Sequence, residues 1–131
     1  MQLWNKIFLI SVLALICFST STGYAQHIPQ GEPSLEIREM ARETSATWTR
    51  ELGLTEKQEI LMEKELIAYA MKKEELLQSK MQEEAKAIRL LALQQEENGA
   101  MRNILTKPQY ERYVVLKQKL LDEQLKNRKN Q

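Results

Sequence analysis

Pairs of adjacent glutamates are the residues of this sequence best suited to acid–base chemistry. They stand at Glu74-Glu75, Glu83-Glu84 and Glu96-Glu97. Glycoside hydrolysis, for example, needs two carboxylates that face one substrate. Neighbouring residues on a helix point about 100° apart, so these pairs do not converge. We interpret them as surface charge. Since the sequence also has no Gly-rich phosphate loop and no serine in a nucleophile-elbow context, we predict that the protein is not an enzyme.

Metal binding has equally few candidate residues. The sequence has one histidine, His27, and one cysteine, Cys17. A zinc site needs about four ligands, commonly His or Cys. Both residues lie in N-terminal segments that we expect to stay outside the fold, so we predict no metal, no cofactor and no small-molecule substrate. With 19 basic against 18 acidic residues, the chain also lacks the basic excess of a nucleic-acid-binding protein.

The first 25 residues have the pattern of a secretory signal peptide. Lys6 precedes an almost unbroken apolar run over residues 7–18, and Gly23-Tyr24-Ala25 offers a cleavage site. The run is shorter than the roughly 20 residues of a transmembrane helix, and a single-pass anchor is the alternative. We interpret Cys17 as part of the removed peptide, because the bulky Ile16 before it does not suit lipid attachment. We expect residues 26–33, which include two prolines, to form a flexible leader.

Two copies of the pattern L-T-x-x-Q mark the best-defined local structure. The copies contain Leu54, Thr55 and Gln58, and Leu105, Thr106 and Gln109. A threonine followed three residues later by glutamine forms a capping box, in which each side chain bonds to the other residue's backbone N–H. Each copy therefore predicts a corner at which one helix ends and the next begins.

Helical periodicity predicts the elements around these corners. A first helix is expected to begin after Ser34 and to end at Gly53, which can adopt the left-handed conformation of a helix C-terminus. A last helix is expected to begin after Thr106 and to run to about Leu125, with Tyr113 on its inner face.

The segment between the corners predicts one long central helix. Residues 56–97 contain neither glycine nor proline, and their apolar residues keep a coiled-coil-like spacing. One helix of about 60 Å follows from 1.5 Å per residue. A hairpin broken near residues 78–80 is the main alternative, and Asn98-Gly99 is a second possible break.

These elements predict an elongated all-α layer in which the long helix is flanked by two shorter antiparallel helices. One domain is expected over residues 34–127, followed by a frayed tail at 128–131. A thin layer of this size buries little surface as a monomer, so we expect a homodimer.

The two L-T-x-x-Q motifs behind a signal peptide resemble those of the Spy/CpxP family of envelope proteins. The resemblance covers residues 34–125 and includes Asn103, Ile104 and Tyr110 around the second motif. It implies a cradle-shaped, intertwined homodimer in the periplasm. Family members include an ATP-independent chaperone, an inhibitor of an envelope-stress sensor kinase, and metal-binding relatives. Because His27 is the single histidine, the resemblance to the metal-binding branch is weak.

Three functions follow as hypotheses. The first is a chaperone-like module that binds unfolded envelope proteins through adaptable methionines and nearby lysines. The candidate client-binding residues are Met62, Met71, Met81, Met101, Lys72 and Lys73. The second is a regulator that docks on an envelope-stress sensor protein. The third is a structural helical protein that binds no client.

Overall fold

The computed structural model describes residues 31–129, and this part of the chain consists of four α-helices and their connections. They are α1 (Leu35–Leu52), α2 (Glu56–Gln78), α3 (Glu83–Ile104) and α4 (Lys107–Lys129). The all-α prediction is confirmed. The predicted signal peptide, most of the predicted leader and the last two residues lie outside the described residues. None of the four described helices is both long and apolar enough to cross a membrane.

The ends of α1 follow from local sequence. Ser34 Oγ accepts a hydrogen bond of 3.2 Å from the Ile37 N–H, which caps the start of the helix. Gly53 ends it with φ at 65°, a left-handed conformation that costs glycine little. The Gly53 N–H donates to the Thr49 carbonyl over 2.9 Å. The chain can therefore turn sharply at this point into the first L-T-x-x-Q motif.

The predicted single central helix is wrong, because the chain breaks between α2 and α3 at residues 79–82. Ser79 and Gln82 both have extended backbone, with ψ at 154° and 148°. Residues 79–82 contain no glycine or proline, so intrinsic helix propensity does not explain the break. We attribute the break to the packing of α3 against α2. The hairpin alternative near residues 78–80 describes this part of the chain. Asn98-Gly99 does not break α3.

The helices form an open arrangement in which α2 lies between α1 and α3 and packs against both. The contacts of α4 with α1 and α3 lie near its N-terminal end, at residues such as Arg112 and Lys117. Beyond these contacts, residues 118–129 are all exposed. The second half of α4 therefore projects from the other three helices.

The main hydrophobic core lies where the two corners meet. Its buried residues come from all four helices and both corners: Trp48, Leu52, Leu54, Met62, Met101, Leu105 and Tyr113. The rings of Trp48 and Tyr113 pack with centroids 4.8 Å apart. Leu54, just after Gly53, belongs to the same cluster as Trp48. The corners are thus the structural centre of the chain.

The chain repeats one helix–corner–helix unit. Both α2 and α4 contain 23 residues, and each begins directly after the threonine of an L-T-x-x-Q motif. Gln58 and Gln109 hold the same position in the two motifs, 51 residues apart. Met62 and Tyr113 are equivalent by the same offset, and both are buried. The units differ in their surroundings, because α2 is packed between two helices and the second half of α4 is not.

Candidate functional site

The first corner has a complete capping box. The Gln58 N–H donates to Thr55 Oγ1 over 3.3 Å, and the Thr55 N–H donates to Gln58 Oε1 over 3.0 Å. Both groups lie at the start of α2, where backbone N–H groups have no partner within the helix. Glu56 and Glu59 in the first turn suit the positive end of the helix dipole.

The second corner uses its glutamine in the same way. The Thr106 N–H donates to Gln109 Oε1 over 2.9 Å, and the Thr106 hydroxyl donates to the same oxygen over 3.1 Å. Pro108 occupies the first turn of α4, where a helix loses nothing by the missing N–H. The two motifs therefore build two similar helix starts.

The two glutamine side chains also join the corners to each other. Gln58 Nε2 donates to Gln109 Oε1 over 2.8 Å and to the Ile104 carbonyl over 3.0 Å. Gln109 Nε2 reaches the Gly53 carbonyl at 3.3 Å and the Leu52 carbonyl at 3.4 Å. We call these bonds of Gln58 and Gln109 the glutamine clasp. The side-chain oxygen of each glutamine accepts hydrogen bonds at the start of its own helix. The side-chain nitrogen of each glutamine donates to backbone carbonyls at the end of the helix that leads into the other corner.

The sequence interpretation missed the glutamine clasp, because it treated the motifs as two separate caps. A signal was present in the choice of residue. A lone capping box accepts glutamate as well as glutamine at its third helical position, yet both motifs have glutamine. Only the amide supplies an N–H donor to the opposite corner.

A partly buried polar network lies beside the clasp, between α3 and α4. Glu97 Oε1 accepts hydrogen bonds of 3.2 Å from the Tyr113 hydroxyl and from Lys117 Nζ. Lys117 Nζ also donates to Asn98 Oδ1 over 3.0 Å. Burial raises the pKa of Tyr113 well above its ordinary value, and the negative charge of Glu97 raises it further. Lys117 and Glu97 also form an ion pair within this network.

Glu97 corrects the interpretation of the glutamate pairs as surface charge. Its side chain is only 9% exposed, whereas that of the adjacent Glu96 is 62% exposed and pairs with Lys72 over 3.1 Å. Burial also raises the pKa of Tyr69, and the charge of Glu97 adds to that effect. The pair at residues 96 and 97 therefore points in two directions, as expected for adjacent residues on a helix.

A polar recess of about 390 Å³ opens between α2 and α3. Its lining includes Glu65, Tyr69 and Lys72 from α2 and Glu96, Glu97 and Asn103 from α3. Within residues 31–129, no group of three His, Cys, Asp or Glu residues is close enough to hold a metal ion. The recess therefore offers charge and hydrogen bonds, without a ready-made metal centre.

The structure divides the candidate client-binding residues into core and surface. Met62 and Met101 are fully buried, so the expectation that they contact a client is wrong for this conformation. Both residues belong to the hydrophobic core at the two corners, and they are buried because the four helices meet there. Met71 is half-buried, and Met81 and Lys73 are exposed. Lys72 is half-buried in its ion pair with Glu96.

Large apolar side chains are nevertheless exposed on every helix. Ile60 of α2 is 60% exposed, Ile88 of α3 is 71% exposed and Val115 of α4 is 68% exposed. Within residues 31–129, the other large apolar residues that are exposed are Leu35, Met40, Leu61, Leu77, Met81, Leu91, Val114, Leu120, Leu121 and Leu125. Isolated apolar residues on a surface are normal, whereas a large contiguous apolar patch is typical of an interaction site.

Comparison with known proteins identifies no relative from which a function could be transferred. No family model matches the sequence. Neither the curated proteins nor the solved structures contain a match.

Proposed function

We propose that this is a helical binding protein of the cell envelope that holds unfolded or stressed proteins without ATP. The observation that carries the proposal is the projecting half of α4. Residues 118–129 are exposed, yet they include Leu120, Leu121 and Leu125. A helix with an apolar face gains its stability by packing that face against something. A non-native polypeptide, which exposes apolar side chains of its own, offers such a surface.

The charges of this segment favour weak and broad binding. Lys126, Arg128 and Lys129 accompany the leucines, together with Asp122. Long basic side chains can contact apolar groups through their stems and acidic groups through their ends. Such a surface adapts to many sequences, as expected of a protein with many clients.

Export supports the proposal from the sequence side. The predicted signal peptide would deliver the protein to a compartment without ATP, where holding a client by surface contacts alone is the feasible mode of action. The resemblance to Spy/CpxP proteins at Leu54, Thr55 and Gln58, and again at Leu105, Thr106 and Gln109, supports the same location and activity.

The test is suppression of client aggregation by the purified protein in buffer without nucleotide. We expect the native protein to reduce light scattering from several unrelated unfolded clients, and the double variant Leu121→Gln, Leu125→Gln to lose most of this effect. Lys119→Gln with Glu123→Gln is the matched control. These residues lie about 160° from Leu121 around α4, and the double change removes one charge of each sign.

Two outcomes would contradict the proposal. One is the absence of any effect on several clients at several-fold excess of the protein. The other is equal loss of activity in the leucine and control variants, because binding would then not depend on the apolar face. Capture of a single membrane sensor in stoichiometric amount, with no effect on clients, would favour a regulator instead.

A further inference from the structure

The polar recess between α2 and α3 is lined by residues that face each other across the two helices. The Lys72–Glu96 ion pair, at 3.1 Å, fixes the register of these antiparallel helices. Two helical turns closer to the corners, about 10.5 Å along each axis, the same register brings Glu65 opposite Asn103. We call this end of the recess the corner end. An ion pair therefore bounds one end of the recess, and a carboxylate and an amide bound the other.

Small residues leave the middle of the recess open. Ala68, Gly99 and Ala100 line it between the two ends. A Cβ atom added at Gly99 would meet nothing within 4 Å, so there is room even for a larger residue at this position. The volume of about 390 Å³ lies in the range of small-molecule sites, which also occur between the helices of bundles. The recess is therefore large enough for a compact organic group.

The corner end presents polar side chains that the fold itself does not use. Within residues 31–129, the side chains of Glu65, Tyr69 and Asn103 take part in no hydrogen bond and no ion pair. Glu65 and Tyr69 stand four residues apart on α2, so they lie on the same face of that helix, and both are half-buried. Each of these side chains carries an oxygen that can accept a hydrogen bond. The corner end is thus a group of acceptors on both walls of one recess.

The charges of the recess leave one carboxylate unmatched. Glu96 pairs with Lys72, and Glu97 pairs with Lys117 over 3.2 Å. Among the described residues, Glu65 has no such cation. A half-buried carboxylate gains most from a partner that is positively charged and also donates hydrogen bonds. The recess therefore favours a ligand group with one positive charge and several N–H donors.

We propose that the corner end of the recess binds a primary ammonium group. Such a group has three N–H donors, and they match the Glu65 carboxylate, the Tyr69 hydroxyl and the side-chain carbonyl of Asn103. The aliphatic chain that carries the group lies between Ala68 and Ala100. A free aliphatic amine and the lysine side chain of a polypeptide both carry this group, and two probes separate them. The inference goes beyond the proposed function and does not rest on it.

The experiment is an NMR titration of the nitrogen-15-labelled protein at pH 7, where an aliphatic amine with a pKa of about 10.4 is protonated. The main probe is n-hexylamine. Hexyltrimethylammonium has the same charge and chain but no N–H donor, and 1-hexanol has the chain without the charge. Nα-acetyl-lysine amide presents the ammonium group as a polypeptide does. The four compounds separate recognition of the N–H donors from attraction of charge and from burial of the chain.

We expect hexylamine to shift the amide signals of recess residues such as Tyr69 and Ala100 saturably, with a Kd of about 1 mM or lower. Hexyltrimethylammonium and hexanol should bind at least about tenfold more weakly, because neither satisfies all three acceptors with charge-assisted hydrogen bonds. Tighter binding of hexylamine than of the lysine derivative assigns the site to a free amine. The reverse order assigns it to a lysine side chain.

Two pairs of variants test whether the ligand occupies the recess. Glu65→Gln keeps the shape of the side chain but removes its charge, and it should weaken binding at least about tenfold. Glu39→Gln is the matched control, since Glu39 is exposed on α1, outside the recess lining. Gly99→Leu brings a large side chain to the recess and should weaken binding by a similar factor. Gly99→Ala, its control, gains helix propensity with a small side chain and should keep most of the binding.

Circular dichroism verifies that each variant is folded, and Gly99→Leu keeps the test decisive if Glu65→Gln fails to fold. The absence of saturable shifts up to about 10 mM hexylamine would overturn the proposal. Equal binding of hexyltrimethylammonium would also overturn it, because the acceptors would then not recognise N–H groups, and so would unchanged binding by both Glu65→Gln and Gly99→Leu. Failure of the proposed function is a separate result, since Leu121 and Leu125 lie outside the recess lining.

Discussion

Gln58 and Gln109, the last residues of two identical motifs, bond to each other across 2.8 Å at the centre of the fold. Each residue also completes a helix start on its own side. Each side chain therefore has two roles. Its oxygen accepts a hydrogen bond in the cap of its own helix, and its nitrogen donates hydrogen bonds to the other corner. This relationship explains why the chain contains the motif twice, because a single copy would have no opposite amide to meet.

Thr55 should contribute to stability as an N-cap, and Thr106 through its hydrogen bond to Gln109. Thr55→Ala removes the acceptor of the Gln58 N–H, and Thr106→Ala removes a hydroxyl that donates to Gln109. We expect each change to lower the free energy of unfolding by about 1 kcal/mol. Urea unfolding followed by circular dichroism measures this value. Unchanged unfolding in both variants would show that these side chains do not stabilise the helix starts.

The buried methionines should behave as core residues. Met62→Ala and Met101→Ala each open a cavity between the helices, with an expected loss of about 2–5 kcal/mol. Met81→Ala is the matched control, because Met81 is exposed and its loss should cost at most about 0.5 kcal/mol. Thermal or urea unfolding distinguishes the three. Similar stability of all three variants would contradict the position of the core.

Tyr113 should make the fold sensitive to alkaline pH. Its pKa is raised by burial and by Glu97, so the folded chain keeps a proton that the unfolded chain releases near pH 10. The stabilising effect is therefore complete below about pH 10 and is lost as the pH rises above it, by up to about 1.4 kcal/mol per pH unit.

Tyr113→Phe provides the comparison. At neutral pH the variant should be less stable by about 1 kcal/mol, because the hydrogen bond to Glu97 is lost. Above pH 10 the native protein should lose stability faster than the variant, so that the difference shrinks or reverses. Urea unfolding at a series of pH values measures both trends. A constant difference up to pH 11 would contradict the assigned environment of Tyr113.

The local parts of this structure could be predicted from the sequence. The caps at Ser34 and Thr55 and the end of α1 at Gly53 depend on residues within a few positions of one another, and the structure has all three. The break at residues 79–82 could not be predicted with the same certainty, because no residue there demands it. It depends on contacts between α2 and α3, which no local pattern contains.

The same distinction holds for the candidate site. The capping role of Gln58 follows from spacing, but its bond to Gln109 requires the two corners to meet in space. The burial of Met62 and Glu97 likewise depends on α4 crossing near the corners, where Tyr113 packs on Trp48 and bonds to Glu97. Helical periodicity predicts which face of a helix is apolar, but it does not predict which neighbouring helix packs against that face.

The most direct test of the glutamine clasp replaces its amides by carboxylates. Gln58→Glu and Gln109→Glu keep the oxygen that serves the cap but lose the N–H donors to Ile104 and Gly53. We expect each single variant to lose about 2 kcal/mol of unfolding free energy in urea at pH 7. The double variant should lose more than the sum, because two carboxylates would then face each other. If either single variant is as stable as the native protein, as an isolated capping box would allow, the two corners are not held together by these side chains.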